Sequence, residues 1–349
     1  KATAEPLAIR GIVFFHLVNM YQHTYKGHES LPGIPLVLTT SPTDKPARAT
    51  VEDTYKQIIK DLTPMATYGQ ETADKKDVDK FVAAAYLAKV YAQMEDWANC
   101  EKFAAIAKMG GNDMISEPGR SWAIKGTADI LWGADVTSAN SALWASYWSH
   151  VDQFLKRGYA AGGHKKFIHN ALYAKIPATD SRRKLWVNLT DYPDIAKKIK
   201  RQASNTKVVM ENYDQLKFIA GEDGMEQDYC FIRVQDPILL EIEAQIEQNK
   251  LTQAAANLNA FAQKRDPAFV AATTQADLRE QVRFQRRIEL WFEGTNWFDM
   301  KRWKLTINRD VPNTNHPVVF TMATDDNKFY HMLPISELES NPNLTQNPR

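Results

Sequence analysis

"VDKFVAAAYLAKVYAQMEDWANCEKFAAIAKMGG", residues 78–111, decides how the chain is read. Its apolar residues recur at helical spacing on both sides of a break at Glu95 and Asp96, and Gly110 with Gly111 closes the second run. Asp77 is placed to open the first helix. Small Ala84, Ala85 and Ala88 alternate with Tyr86, Leu87 and Tyr91. A neighbouring helix approaches closely over alanines while aromatic rings fill the flanks. Two helices in about 34 residues match one tetratricopeptide-like unit. The shape returns in "DPILLEIEAQIEQNKLTQAAANLNAFAQKR", residues 236–265, with a break near Asn249. The expected fold class is therefore all-α: a tetratricopeptide-like helix-pair superhelix, with a long irregular loop-rich insertion between the two units.

Other segments carry the same period. From Leu7, Ile9, Val13, Phe14, Leu17 and Met20 are expected to form one buried face. Thr50 is a good N-cap for a helix whose stripe is Val51, Tyr55, Ile58 and Leu62, with Asp53 at the third helical position. Asp277, three residues before Glu280, is expected to cap a helix with Phe284, Ile288 and Trp291 facing inward. Gly294 is placed to end it, and Trp297, Met300 and Lys301 share a face of the next. Residues 112–229 differ: Gly, Ser, Asn and Pro are frequent, and five of the nine tryptophans fall there. Residues 1–111 and 230–310 are read as the two scaffold parts, 112–229 as the variable region, and 311–349 as an extended tail.

The 43 basic and 42 acidic side chains among 349 residues leave a formal charge of +1, and no basic run suits nucleic acid. Cys100 and Cys230 are too few for a disulfide framework or a structural zinc site, and Cys100 reads as a small core residue. "GIVFFHLV", residues 11–18, is far short of the roughly 20 apolar residues that cross a bilayer. His16, His23 and His28 lack a metal-ligand spacing, and "AAGGHKK", residues 160–166, lacks the remainder of a phosphate loop. No cofactor is expected and no nucleophile elbow is present.

"RRIELWFEGTNWFDMKRW", residues 286–303, poses the one catalytic question. Glu289 and Glu293, four apart on a helix, have the spacing of a retaining glycosidase pair, whose carboxyls lie about 5–5.5 Å apart. One of them must then hold a proton near neutral pH, which needs an apolar pocket. Arg283, Arg286 and Arg287 on the same helix favour the ionised form instead. The stretch reads as ion-paired scaffold, not as an enzyme site.

The same stretch resembles the C-terminal signature of the SusD/RagB family, R-R-x-E-L-x-F-E-G-x-R-W-F-D-L-x-R-W. Arg286, Arg287, Glu289, Leu290, Phe292, Glu293, Gly294, Trp297, Phe298, Asp299, Arg302 and Trp303 match, while Asn296 and Met300 stand where Arg and Leu are usual. "IRGIVFFHLVNMY" (9–21), "GIPLVL" (33–38), "RATVEDTYKQIIKDL" (48–62), "FIRVQDPILLEIEAQI" (231–246) and "LPISELESNPNLTQNP" (333–348) resemble further family elements in order. The resemblance implies a lipid-anchored protein on the outer face of a Bacteroidetes outer membrane. Such a protein caps a SusC-like TonB-dependent transporter and captures oligosaccharide, or in the RagB branch peptide, without chemistry. It also implies an upstream segment, bearing the lipidated cysteine and part of the ligand site, that precedes the helix with which this sequence starts. Competing readings are peptide capture, an α/α glycoside hydrolase, and a cytosolic tetratricopeptide scaffold.

Sugars present C–H faces beside hydroxyls, so aromatic rings flanked by polar groups on loops hold them. "WGADVTSANSALWASYWSH", residues 132–150, offers Trp132, Asp135, Asn140, Ser141, Trp144, Tyr147 and Trp148, and Tyr159 with His164 would complete a rim. Against this, Trp144 and Trp148 at i,i+4 also fit a core stripe, and at least one of them is assigned there. Alanine at Trp132, Tyr147 or Trp148 is expected to abolish glycan binding at an unchanged melting temperature, which calorimetry beside thermal melting checks.

Overall fold

The computed structural model describes residues 4–41, 43–142, 144–195, 197, 208–220 and 226–349. Helices α1 (Ala4–Tyr21) and α2 (Val51–Tyr68) form one pair, and α3 (Lys80–Met94) and α4 (Trp97–Ala107) the next. The strands β1 (Pro32–Pro35) and β2 (Arg48–Thr50) pair antiparallel between α1 and α2. After α4 the chain departs into the insertion, which holds β3 (Ile130–Ala134), α5 (Tyr147–Val151) and α6 (Asn170–Tyr173). It returns along β4 (Tyr229–Arg233), antiparallel to β3, and enters α7 (Gln235–Glu247), which packs directly against α4. The insertion is thus looped out between two adjacent scaffold helices, with the β3/β4 pair as its neck. Helices α8 (Leu251–Ala262), α9 (Gln275–Glu289) and α10 (Asn296–Arg302) complete the scaffold. The pair β5 (Ile307–Asn308) and β6 (Thr321–Met322) follows, then α11 (Ile335–Ser340). The all-α expectation holds, with three small two-stranded sheets added among the described residues.

Local chemistry explains the helix limits. Thr50 Oγ1 accepts from the Asp53 amide at 3.0 Å, and Val51, Tyr55, Ile58 and Leu62 are buried, as their spacing requires. Ala83 to Ala88 are all buried, and Glu95 takes a left-handed φ of 59° at the break between α3 and α4. Three expectations need correction. Asp79, not Asp77, caps α3, because its carboxylate reaches the amides of Phe81 and Val82 at 2.9 and 3.0 Å. Thr274, not Asp277, caps α9; Asp277 is its reciprocal partner three residues on. Helix α1 buries Ala8, Ile12, Phe14, Phe15 and Val18, while Ile9, Val13 and Met20 are exposed. That helix is apolar on most sides, so periodicity fixes its existence better than its orientation.

The 286–303 segment is tied across the molecule rather than along its own helices. Glu289 is fully buried and receives Arg265 Nε at 2.7 Å, Arg182 Nη1 at 3.2 Å and Arg233 Nη2 at 3.4 Å. None of these arginines belongs to α9, which corrects the expected local pairing with Arg283, Arg286 and Arg287. Arg286 instead binds Asp236 at 2.8 Å and Asp299 at 3.0 Å, and Arg302 holds both oxygens of Glu243 at 2.6 and 2.7 Å. On α10 the buried residues are Phe298, Asp299, Lys301 and Arg302; Trp297 and Met300 are only half-buried. Lys301 Nζ donates to the carbonyls of Asn19 and Gln22 at the end of α1, where a cation satisfies acceptors left open by the helix. The tail is also anchored: Asn347 Nδ2 donates to the carbonyls of Tyr21 and His331 at 2.8 Å, and its Oδ1 accepts from Arg48.

Burial opposes ionisation of Asp236, but Lys89 and Arg286 outweigh it and pull the carboxyl down to about 2. A depressed folded pKa contributes stability that is complete above the unfolded value of about 4 and disappears as pH falls toward about 2. Asp236→Asn is expected to flatten the loss of stability between those limits, read from urea melts at stepped pH. Glu289→Gln leaves three buried guanidinium groups short of a charge partner and is expected to cost about 3–5 kcal/mol in denaturant unfolding at neutral pH.

Candidate functional site

A cavity of about 680 Å3 opens where the neck of the insertion meets the turn between α9 and α10. Tyr147 and Trp148 enter from α5, Phe167 and His169 from the approach to α6, Leu172 from α6, and Tyr229, Cys230 and Phe231 from β4. Arg287, Trp291, Phe292, Glu293, Asn296 and Trp297 come from the α9–α10 region, and Trp122, Phe218 and Arg309 close the wall.

Buried polar atoms set these rings in place. Trp122 Nε1 donates to Lys217 O at 3.0 Å, and Trp148 Nε1 donates to the carbonyls of Gln227 and Asp228 at 3.1 and 3.2 Å. The Asp228 carboxylate gathers the amides of Ile124 and Val136 at 2.8 and 3.0 Å, joining three irregular segments of the insertion. Tyr147 stacks edge-on against Trp148 and Phe218, and its hydroxyl donates to Phe292 O at 3.3 Å. Burial lifts its phenol well above the ordinary range, so it acts as a neutral donor. Phe292 has φ +62°, a left-handed backbone rarely taken by a bulky residue, in the turn that aims its ring at the cavity.

Lys217 and Arg233 neutralise Glu293. Lys217 Nζ reaches Glu293 Oε1 at 2.5 Å and the carbonyls of Glu289 and Trp291 at 2.7 and 3.1 Å. Burial lowers its ammonium to about 8, although Glu293 pulls the other way. Arg233 grips both oxygens of Glu293, at 2.6 and 2.9 Å. Burial likewise raises the Cys230 thiol, so no thiolate is available in the wall.

The sequence-nominated residues divide into three places. Tyr147 and Trp148 reach the cavity. Trp132 stands behind its wall: its ring packs on Phe231 at 4.7 Å and on Tyr86, and its Nε1 donates to Lys76 O. Asp135 and Asn140 lie in an exposed turn, where Asn140 serves the backbone of Thr137 and Asp135. Trp144, Tyr159 and His164 gather elsewhere on the surface with His150, Trp144 and Tyr159 being 53% and 43% exposed. Trp148 is 1% exposed and takes the core role assigned to one of the pair; Trp144 does not.

Most of the cavity went unnominated. The 286–303 segment reads as scaffold throughout in the sequence, and Arg286, Glu289, Asp299, Lys301 and Arg302, with the apolar Ile288, Leu290 and Phe298, do have that role on the inner side. Arg287, Trp291, Phe292 and Trp297 face the cavity. The sequence signal for them is weak, because Trp291 also packs on Trp186 and Trp297 stacks on Phe329, as scaffold rings would.

An all-α helix-pair scaffold carrying an aromatic cavity at the neck of one insertion defines a ligand-binding protein. Residues 152–349 match the family described as SusD family, and residues 1–92 match one described as starch-binding associating with outer membrane. The chain belongs to the SusD family. It is similar in fold to a SusD superfamily protein from Bacteroides vulgatus (TM-score 0.80, 22% identity, 99% of this chain and 76% of that one). A putative sugar binding protein from the same organism gives TM-score 0.76 at 22% identity, over 99% of this chain and 76% of that chain. A SusD superfamily protein from Bacteroides thetaiotaomicron gives 0.76 at 20% identity, over 99% and 77%. No curated protein matches the chain significantly.

With Trp148 in the core, the sequence expectation for it is revised. Trp148→Ala removes a buried ring and is expected to cost about 3–5 kcal/mol, visible as a lowered melting temperature whether or not ligand is present.

Proposed function

We propose that the protein captures an extracellular oligosaccharide in this cavity and hands it on unaltered. The observation that carries the reading is the wall itself: indole, phenol and phenyl rings arranged around a volume suited to a short glycan. Aromatic faces take the C–H side of each sugar ring, while Asn296, Glu293 and the Tyr229 hydroxyl offer partners for its edges. The exposed Trp144–Tyr159 group supplies a second platform for a longer chain.

The absence of cleavage follows from charge. A glycosidase requires two carboxyls flanking the bond, one protonated as general acid. Among the described lining residues Glu293 is the only carboxyl, and two cations hold it. Glu289 lies behind the wall, where Arg265, Arg233 and Arg182 overcome its burial and keep it ionised well below the usual carboxylate range.

Membership in the SusD family supports placing the protein at the outer membrane, facing outward through a lipid anchor, as the lid of a SusC-like TonB-dependent transporter. Binding without turnover is what such a lid needs, because the transporter must receive the glycan intact.

Phe231 and Phe292 are the direct test, since 43% and 39% of each is exposed and neither ring fills the core. Phe231→Ala and Phe292→Ala are expected to weaken oligosaccharide binding on the order of tenfold each by calorimetry, with little change in melting temperature. Unaltered affinity in both, or steady release of shortened glycan by the native protein, overturns the proposal.

A further inference from the structure

Two arginines in the cavity wall have no counter-ion among the described residues. Arg287 makes no side-chain hydrogen bond or ion pair with any described residue, and neither does Arg309, whose Nε is buried without an acceptor. Burial disfavours the charge on Arg287, and the nearby charge of Arg309 adds to that; burial alone disfavours the charge on Arg309. Every other buried cation around the cavity is matched. Lys217 and Arg233 hold Glu293, Arg233 also reaches Asp129, Arg182 binds Asp180, and Arg265 binds Asp113 and Glu289. The one carboxylate whose field reaches Arg287 is Glu280, which is exposed and paired with Arg283.

The remaining neighbours are also donors or neutral. His169 lines the same wall, its Nε2 within 3.2 Å of Thr314 Oγ1. Burial lowers its pKa first, and the charges of Arg309, His316 and Arg287 add to that. Trp297 Nε1, a donor only, is buried in the wall without an acceptor. A half-buried guanidinium kept near another, with no carboxylate between them, is costly unless an anion completes the set.

Resting on the oligosaccharide reading of the cavity, we infer that Arg287 and Arg309 form an anion subsite, and that the ligand is an acidic glycan bearing carboxylate or sulfate groups. The planar guanidinium fork takes either group through two parallel N–H bonds, and Trp297 and His169 stand beside it as further polar partners. The aromatic wall then holds the neutral faces of the same sugars.

The experiment titrates the native protein, by calorimetry at low and raised salt, with a uronic-acid oligosaccharide, a sulfated one, an uncharged one of equal length, and an acidic peptide. The expected result is that one of the two acidic glycans binds on the order of tenfold or more tighter than the uncharged one, and that salt weakens it. Which of the two wins tells carboxylate from sulfate. Arg287→Gln and Arg309→Gln are expected to erase that preference at an unlowered melting temperature, and Arg287→Lys to restore part of it. Equal affinity for charged and uncharged glycans overturns the anion subsite and leaves oligosaccharide capture standing. Binding of the acidic peptide with no glycan bound, or of none of the four, overturns both.

Discussion

Glu289 is a single buried carboxylate facing three arginines contributed by separate parts of the chain: Arg182 from the insertion, Arg233 from its neck, and Arg265 from the end of α8. Its own backbone carbonyl also receives Arg233 and Lys217. Buried charges of this kind are expensive unless fully partnered, so they specify one arrangement of the segments that carry them. Insertion, neck and scaffold must all be seated for the set to close. The cavity exists because this cluster fixes the end of α9 against β4, leaving the outer faces of both to form a wall.

That arrangement separates two duties within a few residues. Along 286–302, Arg286, Glu289, Asp299 and Arg302 turn inward to charged partners, while Arg287, Trp291, Phe292 and Trp297 turn toward the cavity. The insertion supplies the opposite wall; its chain leaves and rejoins the scaffold at the short β3/β4 pair between α4 and α7, and Arg182 and Lys217 seat it on the end of α9. Loops of any length joined there leave the packing of α4 on α7 undisturbed, because loop length adds only slowly to the entropic cost. A binding surface that varies over a constant frame is what such a joint permits.

The scaffold was legible in the chain because its signals are local. The cap at Thr50 and the buried alanine run inside α3 act within one or two turns, and both are legible from spacing. The misplaced caps at Asp77 and Asp277 lay two or three residues from the real ones, where several Asp and Thr side chains compete for the same amides. The face of α1 was misread because apolar residues surround it. Site residues were legible only in part. Tyr147 and Trp148 reach the cavity, but Phe231, Phe167 and Arg309 meet there through tertiary contacts that no spacing encodes. Exposure was the other blind spot: Trp144 and Trp148 are four apart and alike in sequence, yet one is in solvent and the other in the core.

The lower end of α1 illustrates a different consequence. Its terminal carbonyls are capped by Lys301 and Asn347, which follow their acceptors by 282 and 326 positions. During synthesis this helix precedes those distant segments, and its last turn stays unsecured until they arrive. Long-separation contacts slow folding and prolong exposure of unfinished surface.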